Sequence, residues 1–213
     1  MRAFIIANGQ IHEGDFYRSL VAPTDLVICA DGGASNARAL GLQPQVVIGD
    51  LDSLDSNLQA QLEADGCQVL AYPARKDETD LELALRYAIE RGVDEILILG
   101  ALGGRIDQTL ANVLLLALPE LRYVKAKILG GRQEVSLIRD AALIEGQVGD
   151  TFSLLPLTEE VTGIYTEGLE YALENATLYL GPSRGISNVL TSSQARVRID
   201  RGLLLAVVIH NGE

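Results

Sequence analysis

The sequence has no tryptophan, one methionine, two histidines and two cysteines in 213 residues. Cys29 and Cys67 are too few for a disulfide framework or a zinc ladder. Cys29 sits in an apolar run and reads as a small buried hydrophobe, and both thiols fit a reducing compartment, so a cytoplasmic protein is expected. His12 and His210 are isolated, suggest no triad or metal cluster, and are given no role. Positive charge is also scarce: 17 Lys and Arg against 29 Asp and Glu leave a net charge of -12. An acidic chain repels phosphate backbones, so no nucleic-acid partner is expected. Apolar runs such as 113–118 and 203–209 fall far below the ~20 residues that span a bilayer, so no membrane partner is expected either. The opening stretch from Met1 to Ala7 has too short an apolar part for a secretory leader. Low-complexity tracts and internal repeats are missing.

What is present is globular. Hydrophobic residues make up 48% of the chain, an ordinary share for a domain with a real core. In the first half, short apolar runs alternate with helical patterns. The runs cover 4–7, 26–30, 46–48, 69–72 and 96–99, and they carry little polar alternation, as strands buried on both faces do. Helical patterns cover 56–65, 79–91 and 107–116. In the second, Leu81, Ala84, Leu85 and Ala88 share one face, and Thr79-Asp80-Leu81-Glu82 has capping-box spacing. Alternating strand and helix predicts an α/β domain with a mostly parallel sheet and flanking helices. After Gly131 the pattern changes to short β-rich runs (135–138, 151–155, 161–165, 176–180, 195–199 and 203–209) broken by Gly, Pro, Asn and Asp. They predict a smaller all-β, sandwich-like domain. The expected division is residues 1–132 and 133–213.

Chemistry-bearing residues gather after the strands of the first half. Gly49-Asp50-Leu51-Asp52-Ser53 follows the third run. If the backbone stays extended there, Asp50 and Asp52 point to one side, and two such carboxylates call for a cation such as magnesium between them. A solvated turn built from ordinary turn residues is the alternative. Arg75-Lys76-Asp77-Glu78-Thr79-Asp80 follows the fourth run. Thr79 as an N-cap and Asp80 as an acid at a helix start explain themselves structurally. A functional reading has Asp80 and Asp77 facing the Asp50/Asp52 pair, with Lys76 on a phosphate. Gly103-Gly104-Arg105-Ile106-Asp107-Gln108 follows the fifth run and opens a helix, where backbone N–H groups and Arg105 can meet a phosphate. It is neither a Walker A loop nor a dinucleotide fingerprint. Asp31-Gly32-Gly33-Ala34 adds an acid and two glycines after the second run. In a parallel sheet all four loops lie on one edge, so a metal–nucleotide site explains together what would otherwise be four coincidences.

This ordered set, with Ala30 before Asp31 and with Ile186-Ser187-Asn188 near the end, closely resembles the thiamine pyrophosphokinase family. The resemblance runs along nearly the whole chain. It implies transfer of a diphosphate from ATP to the hydroxyl of thiamine, giving thiamine diphosphate and AMP. It implies an ATP- and magnesium-binding catalytic domain over 1–132, a thiamine-binding and dimerisation sandwich over 133–213, and a homodimer with active sites at the subunit interface. It assigns magnesium to Asp50, Asp52 and Asp80, and makes Asp31 and Asp77 supporting acids. Gly32, Gly33, Gly103, Gly104, Arg105, Asp107 and Gln108 become nucleotide-side residues. Tyr171, where animal members carry a tryptophan that stacks on thiamine, together with Ser187 and Asn188, is implied on the vitamin side. Three other functions compete with this one: a diphosphokinase for another heterocyclic alcohol such as a hydroxymethylpterin, a phosphohydrolase with Asp50 as nucleophile, and a non-catalytic nucleotide or thiamine diphosphate sensor.

Overall fold

The structure, a computed structural model, describes residues 1–52 and 54–212. Ser53, the last residue of the third-strand acidic motif, lies outside them. The chain divides into two compact units, Met1–Gly131 and Arg132–Glu213.

Among its described residues the first unit has six strands and five helices: β1 (Arg2–Ile6), α1 (Gly14–Leu20), β2 (Leu26–Ala30), α2 (Gly33–Ala39), β3 (Val46–Gly49), α3 (Ser56–Ala64), β4 (Gln68–Ala71), α4 (Asp80–Glu90), β5 (Glu95–Leu99), α5 (Ile106–Leu115) and β6 (Lys125–Gly130). A 3-10 turn, Pro119–Tyr123, precedes β6. Every strand pair in the unit is parallel, in the order β6-β5-β1-β2-β3-β4. Side chains alternate across the sheet. Phe4, Ile6, Val27, Cys29, Val47, Leu97 and Leu99 share one buried cluster with Tyr17, Ala34, Ala37, Leu58 and Leu62 of α1, α2 and α3. The alternate residues Ile5 and Ile28 are equally buried and face the other way. Helix α4 packs on β1, β2 and β3 with Leu81, Ala84, Leu85 and Ala88 inward, the stripe read from the sequence. Thr79 caps it, its hydroxyl accepting from the Glu82 N–H at 3.2 Å.

The second unit has β7 (Gln133–Ile138), β8 (Ala141–Glu145), β9 (Thr151–Pro156), β10 (Glu160–Glu167), β11 (Ala176–Tyr179), β12 (Asn188–Val189), β13 (Gln194–Arg198) and β14 (Leu204–Ile209), with no helix among its described residues. They form two antiparallel sets, β12-β9-β14-β7 and β11-β10-β13-β8. One core joins both sets, with Phe152, Leu154, Leu204 and Ala206 from the first and Ile144, Val161, Ile164 and Val197 from the second. Two sheets around one apolar layer make a sandwich. Among the described residues no helix is long and apolar enough to cross a membrane.

Candidate active site

In the first unit the chain runs outward from β1 through β2, β3 and β4, then returns to the other side of β1 for β5 and β6. The order reverses between β1 and β5, and in open parallel sheets ligands bind outside the strand carboxyl ends at such a switch point. A cleft of about 630 Å³ opens there. Asn8 and Gln10 line it after β1, Asp31 after β2, Asp50 after β3, Lys76, Glu78, Thr79 and Asp80 at the start of α4, and Gly103, Gly104 and Arg105 after β5.

The loops around the cleft are fixed by close backbone contacts. A Cβ on Gly33 would lie 2.0 Å from the Ile6 carbonyl oxygen, so only glycine lets α2 start this near β1. Asn36, one turn into α2, donates from Nδ2 to the carbonyls of Ala7 and Gly9, both at 2.8 Å. The Gly9 N–H reaches the Gly100 carbonyl at 2.8 Å, tying the loops after β1 and β5 together. Asn112 of α5 donates to the Ala101 carbonyl at 2.8 Å. Gly103 and Gly104 have φ of 92° and 69°, left-handed values that favour glycine.

In the loops after β2 and β3 two non-glycine residues also turn left-handed, and both sit at the acids: Asp31 with φ 46° and Leu51 with φ 63°. The result is a group of three carboxylates. One oxygen each of Asp31, Asp50 and Asp80 lies within 4.8 Å of the other two, and all three side chains are half-buried. Asp52 is exposed and is not one of the three. The backbone does not stay extended past Asp50; it turns at Leu51 and brings the Asp52 N–H to Asp50 Oδ1 at 3.3 Å. Asp52 still feels the group. The Asp50 charge and its hydrogen bond push the Asp52 carboxyl above its ordinary range, and Asp31 and Asp80 add to the push. Lys76 Nζ lies 2.9 Å from Asp80 Oδ1. Converging carboxylate oxygens with surplus negative charge are a donor set for a hard divalent cation.

Other sequence-named residues take varied places. Gln108 lines the cleft; Gly32, Gly33, Asp77 and Asp107 do not. Arg105 does, and its guanidinium is engaged with Asp107, whose carboxyl this hydrogen bond holds below its ordinary range. Sequence reading missed the loop after β1, with Asn8, Gly9 and Gln10 at the cleft wall; its one signal is the Asn-Gly turn dipeptide. Asn112 and Glu78 were missed as well.

The second unit has its own pocket of about 310 Å³, lined among others by Phe152, Leu154, Tyr171, Arg184, Ile186 and Asn188. Tyr171 is exposed, so its ring is available to a ligand. Asn188 grips the Tyr171 backbone from both sides, Nδ2 donating to its carbonyl at 2.8 Å and Oδ1 accepting its N–H at 3.0 Å. Asn188 therefore positions the aromatic residue. Ser187 does not line the pocket; it has φ 59° and donates its N–H to Ser153 Oγ at 3.0 Å.

Residues 17–128 match the family described as thiamin pyrophosphokinase, catalytic domain, and residues 142–204 match thiamin pyrophosphokinase, vitamin B1 binding domain. The chain is 29% identical over 184 residues to the thiamine pyrophosphokinase of Bacillus subtilis (strain 168), covering 85% of this chain and 86% of that one. The crystal structure of thiamine pyrophosphokinase from Bacillus subtilis superposes with a TM-score of 0.88 at 27% identity, over 100% of both chains. That of thiamin pyrophosphokinase from Geobacillus thermodenitrificans gives 0.85 at 25% identity, over 100% of this chain and 99% of the other.

Proposed function

The chain belongs to the thiamin pyrophosphokinase family, and from that premise we propose how its residues divide the work of transferring a diphosphate from ATP to the hydroxyl of thiamine, with AMP as the second product. The observation that carries the proposal is the convergence of Asp31, Asp50 and Asp80 at the switch-point cleft. In our reading the first unit binds ATP with magnesium, and the second binds thiamine and makes the homodimer, with active sites at the subunit interface. Two buried thiols suit a reducing compartment, and we place the enzyme in the cytoplasm.

Asp50 and Asp80 belong both to the converging group and to the set implied by the family resemblance, so they are the principal magnesium ligands proposed here. Asp31 completes the group, and Asp52 flanks it beside Asp50. Bound magnesium would neutralise phosphate charge so that an alcohol can approach phosphorus. Thr79 fixes the start of α4 and with it the position of Asp80. Lys76 and Arg105 meet the charge that builds on the transferred group and on departing AMP, Arg105 by leaving Asp107. Gly103 and Gly104 let N–H groups approach the phosphates. On the acceptor side, the Tyr171 ring offers a face to the cationic thiazolium, weaker than an indole would be. Catalysis of this kind is mostly positioning and electrostatics.

The test is AMP formation from ATP and magnesium, with and without thiamine, followed by chromatography. AMP and thiamine diphosphate are expected together, only with thiamine, and lost on chelation. AMP formed with a hydroxymethylpterin but not thiamine would reassign the acceptor. Inorganic phosphate released without any acceptor would point to hydrolysis. Saturable binding with no AMP would leave only a sensor.

A further inference from the structure

Three converging carboxylates, with a fourth beside them, are unstable without a counter-charge. The structure supplies one from within the chain. Lys76 Nζ sits 2.9 Å from Asp80 Oδ1, and its side chain is 13% exposed. It also donates to the Pro73 carbonyl at 3.3 Å, in the loop that carries it. The contact with Asp80 is an ion pair without hydrogen-bond alignment: among the described residues no aligned donor reaches Asp80 Oδ1. An ammonium on a flexible four-carbon stem, held by charge and not by direction, is easily exchanged. Arg105, also at the cleft, is engaged by Asp107, whereas Lys76 is in contact with Asp80 of the acid group.

We propose that Lys76 is an exchangeable counter-ion. It occupies Asp80 while the acid group lacks a divalent cation, and moves to the anionic oxygens of the nucleotide when such a cation takes Asp80. This rests on the metal–nucleotide reading of the cleft. Its consequence is a coupling. Lys76 weakens binding of the bare cation, and the nucleotide, by accepting the displaced ammonium, removes that penalty. Cation and nucleotide then each strengthen the other, by the same factor.

Calorimetric titration with Mn²⁺, without nucleotide, tests this on the wild type, Lys76→Gln and Lys76→Arg. Lys76→Gln is expected to bind Mn²⁺ roughly fivefold more tightly, the upper scale on which a solvent-screened charge pair acts, and Lys76→Arg to bind like the wild type. A non-hydrolysable ATP analogue should raise Mn²⁺ affinity in the wild type and much less in Lys76→Gln. Equal or weaker Mn²⁺ binding by Lys76→Gln overturns the exchange while leaving the metal site standing. Wild-type Mn²⁺ binding that is unchanged in Asp50→Asn overturns the metal reading itself. A second measurement needs no variant: acetylation of Lys76 in the wild type, read by mass spectrometry. It is expected to quicken with Mn²⁺ alone and to slow when the analogue is added. A rate indifferent to Mn²⁺ overturns the proposal.

Discussion

Asp50 stands at the centre of the acids: its oxygen is among the three that converge, and the Asp52 N–H and carboxyl both lean on it. Asp50→Asn keeps the shape and removes one charge. Turnover is expected to fall at least about a hundredfold, the scale on which a single electrostatic stabiliser acts, with Mn²⁺ affinity falling in parallel. Asp77 is exposed and off the cleft wall. Asp77→Asn is therefore expected to stay within about threefold of wild type, as surface changes do. Steady-state rates for the two variants, compared at saturating magnesium, check both expectations. A near-normal Asp50→Asn enzyme with its fold intact would remove the metal assignment.

The elements act on chemistry through the loops they hold. Asn36 donates from α2 to Ala7 and Gly9 and so sets the cleft wall after β1. Asn36→Ala leaves the carbonyls of buried Ala7 and half-buried Gly9 without that donor, a loss of about 1–3 kcal/mol. Its KM for ATP should rise while the KM for thiamine holds; a fall in melting temperature with both constants unchanged would make the role structural only. In the second unit, Asp150 ties the turn before β9 to the end of β14, accepting N–H groups from Gln147 and Asn211 and pairing with His210 Nδ1 at 2.9 Å. Burial pushes its carboxyl up, but those hydrogen bonds outweigh burial and hold it below the ordinary range. A depressed folded pKa gives stability that is present above the unfolded value of about 3.9 and is lost as pH falls through the folded one. Wild type should exceed Asp150→Asn in melting temperature at pH 7, with the gap closing below about pH 4. A gap indifferent to pH would exclude charge as its origin.

At this scale the limits of the sequence show physically. Helix α4 was legible because its cap, first-turn acids and apolar stripe agree. Helix α1 was not: it has seven residues, no capping side chain, and only Tyr17 buried. Strand β6 was missed because Lys125 and Lys127 interrupt its apolar run. The acids were legible as residues near one sheet edge. The gathering of Asp31 with Asp50 and Asp80 was not, since it depends on left-handed turns at Asp31 and Leu51, where nothing in the residue type demands them.

Over the whole molecule, a net charge of -12 acts on two substrates of opposite sign. Magnesium-bound ATP is an anion and is repelled on approach; thiamine carries a cationic thiazolium and is attracted. Local cations in the cleft, Lys76 and Arg105, are both paired with acids of the chain and offset little of that field at long range. Screening shortens its reach to about 8 Å at physiological ionic strength. Raising monovalent salt from about 20 mM to about 150 mM should therefore lower the KM for magnesium-ATP and raise that for thiamine, each by roughly twofold. Initial rates with magnesium saturating at both salts measure the two constants separately. Opposite signs would locate the effect in the global charge. A common direction would mean that salt acts on the acid cluster or on assembly, and that the long-range field has no part in selecting either substrate.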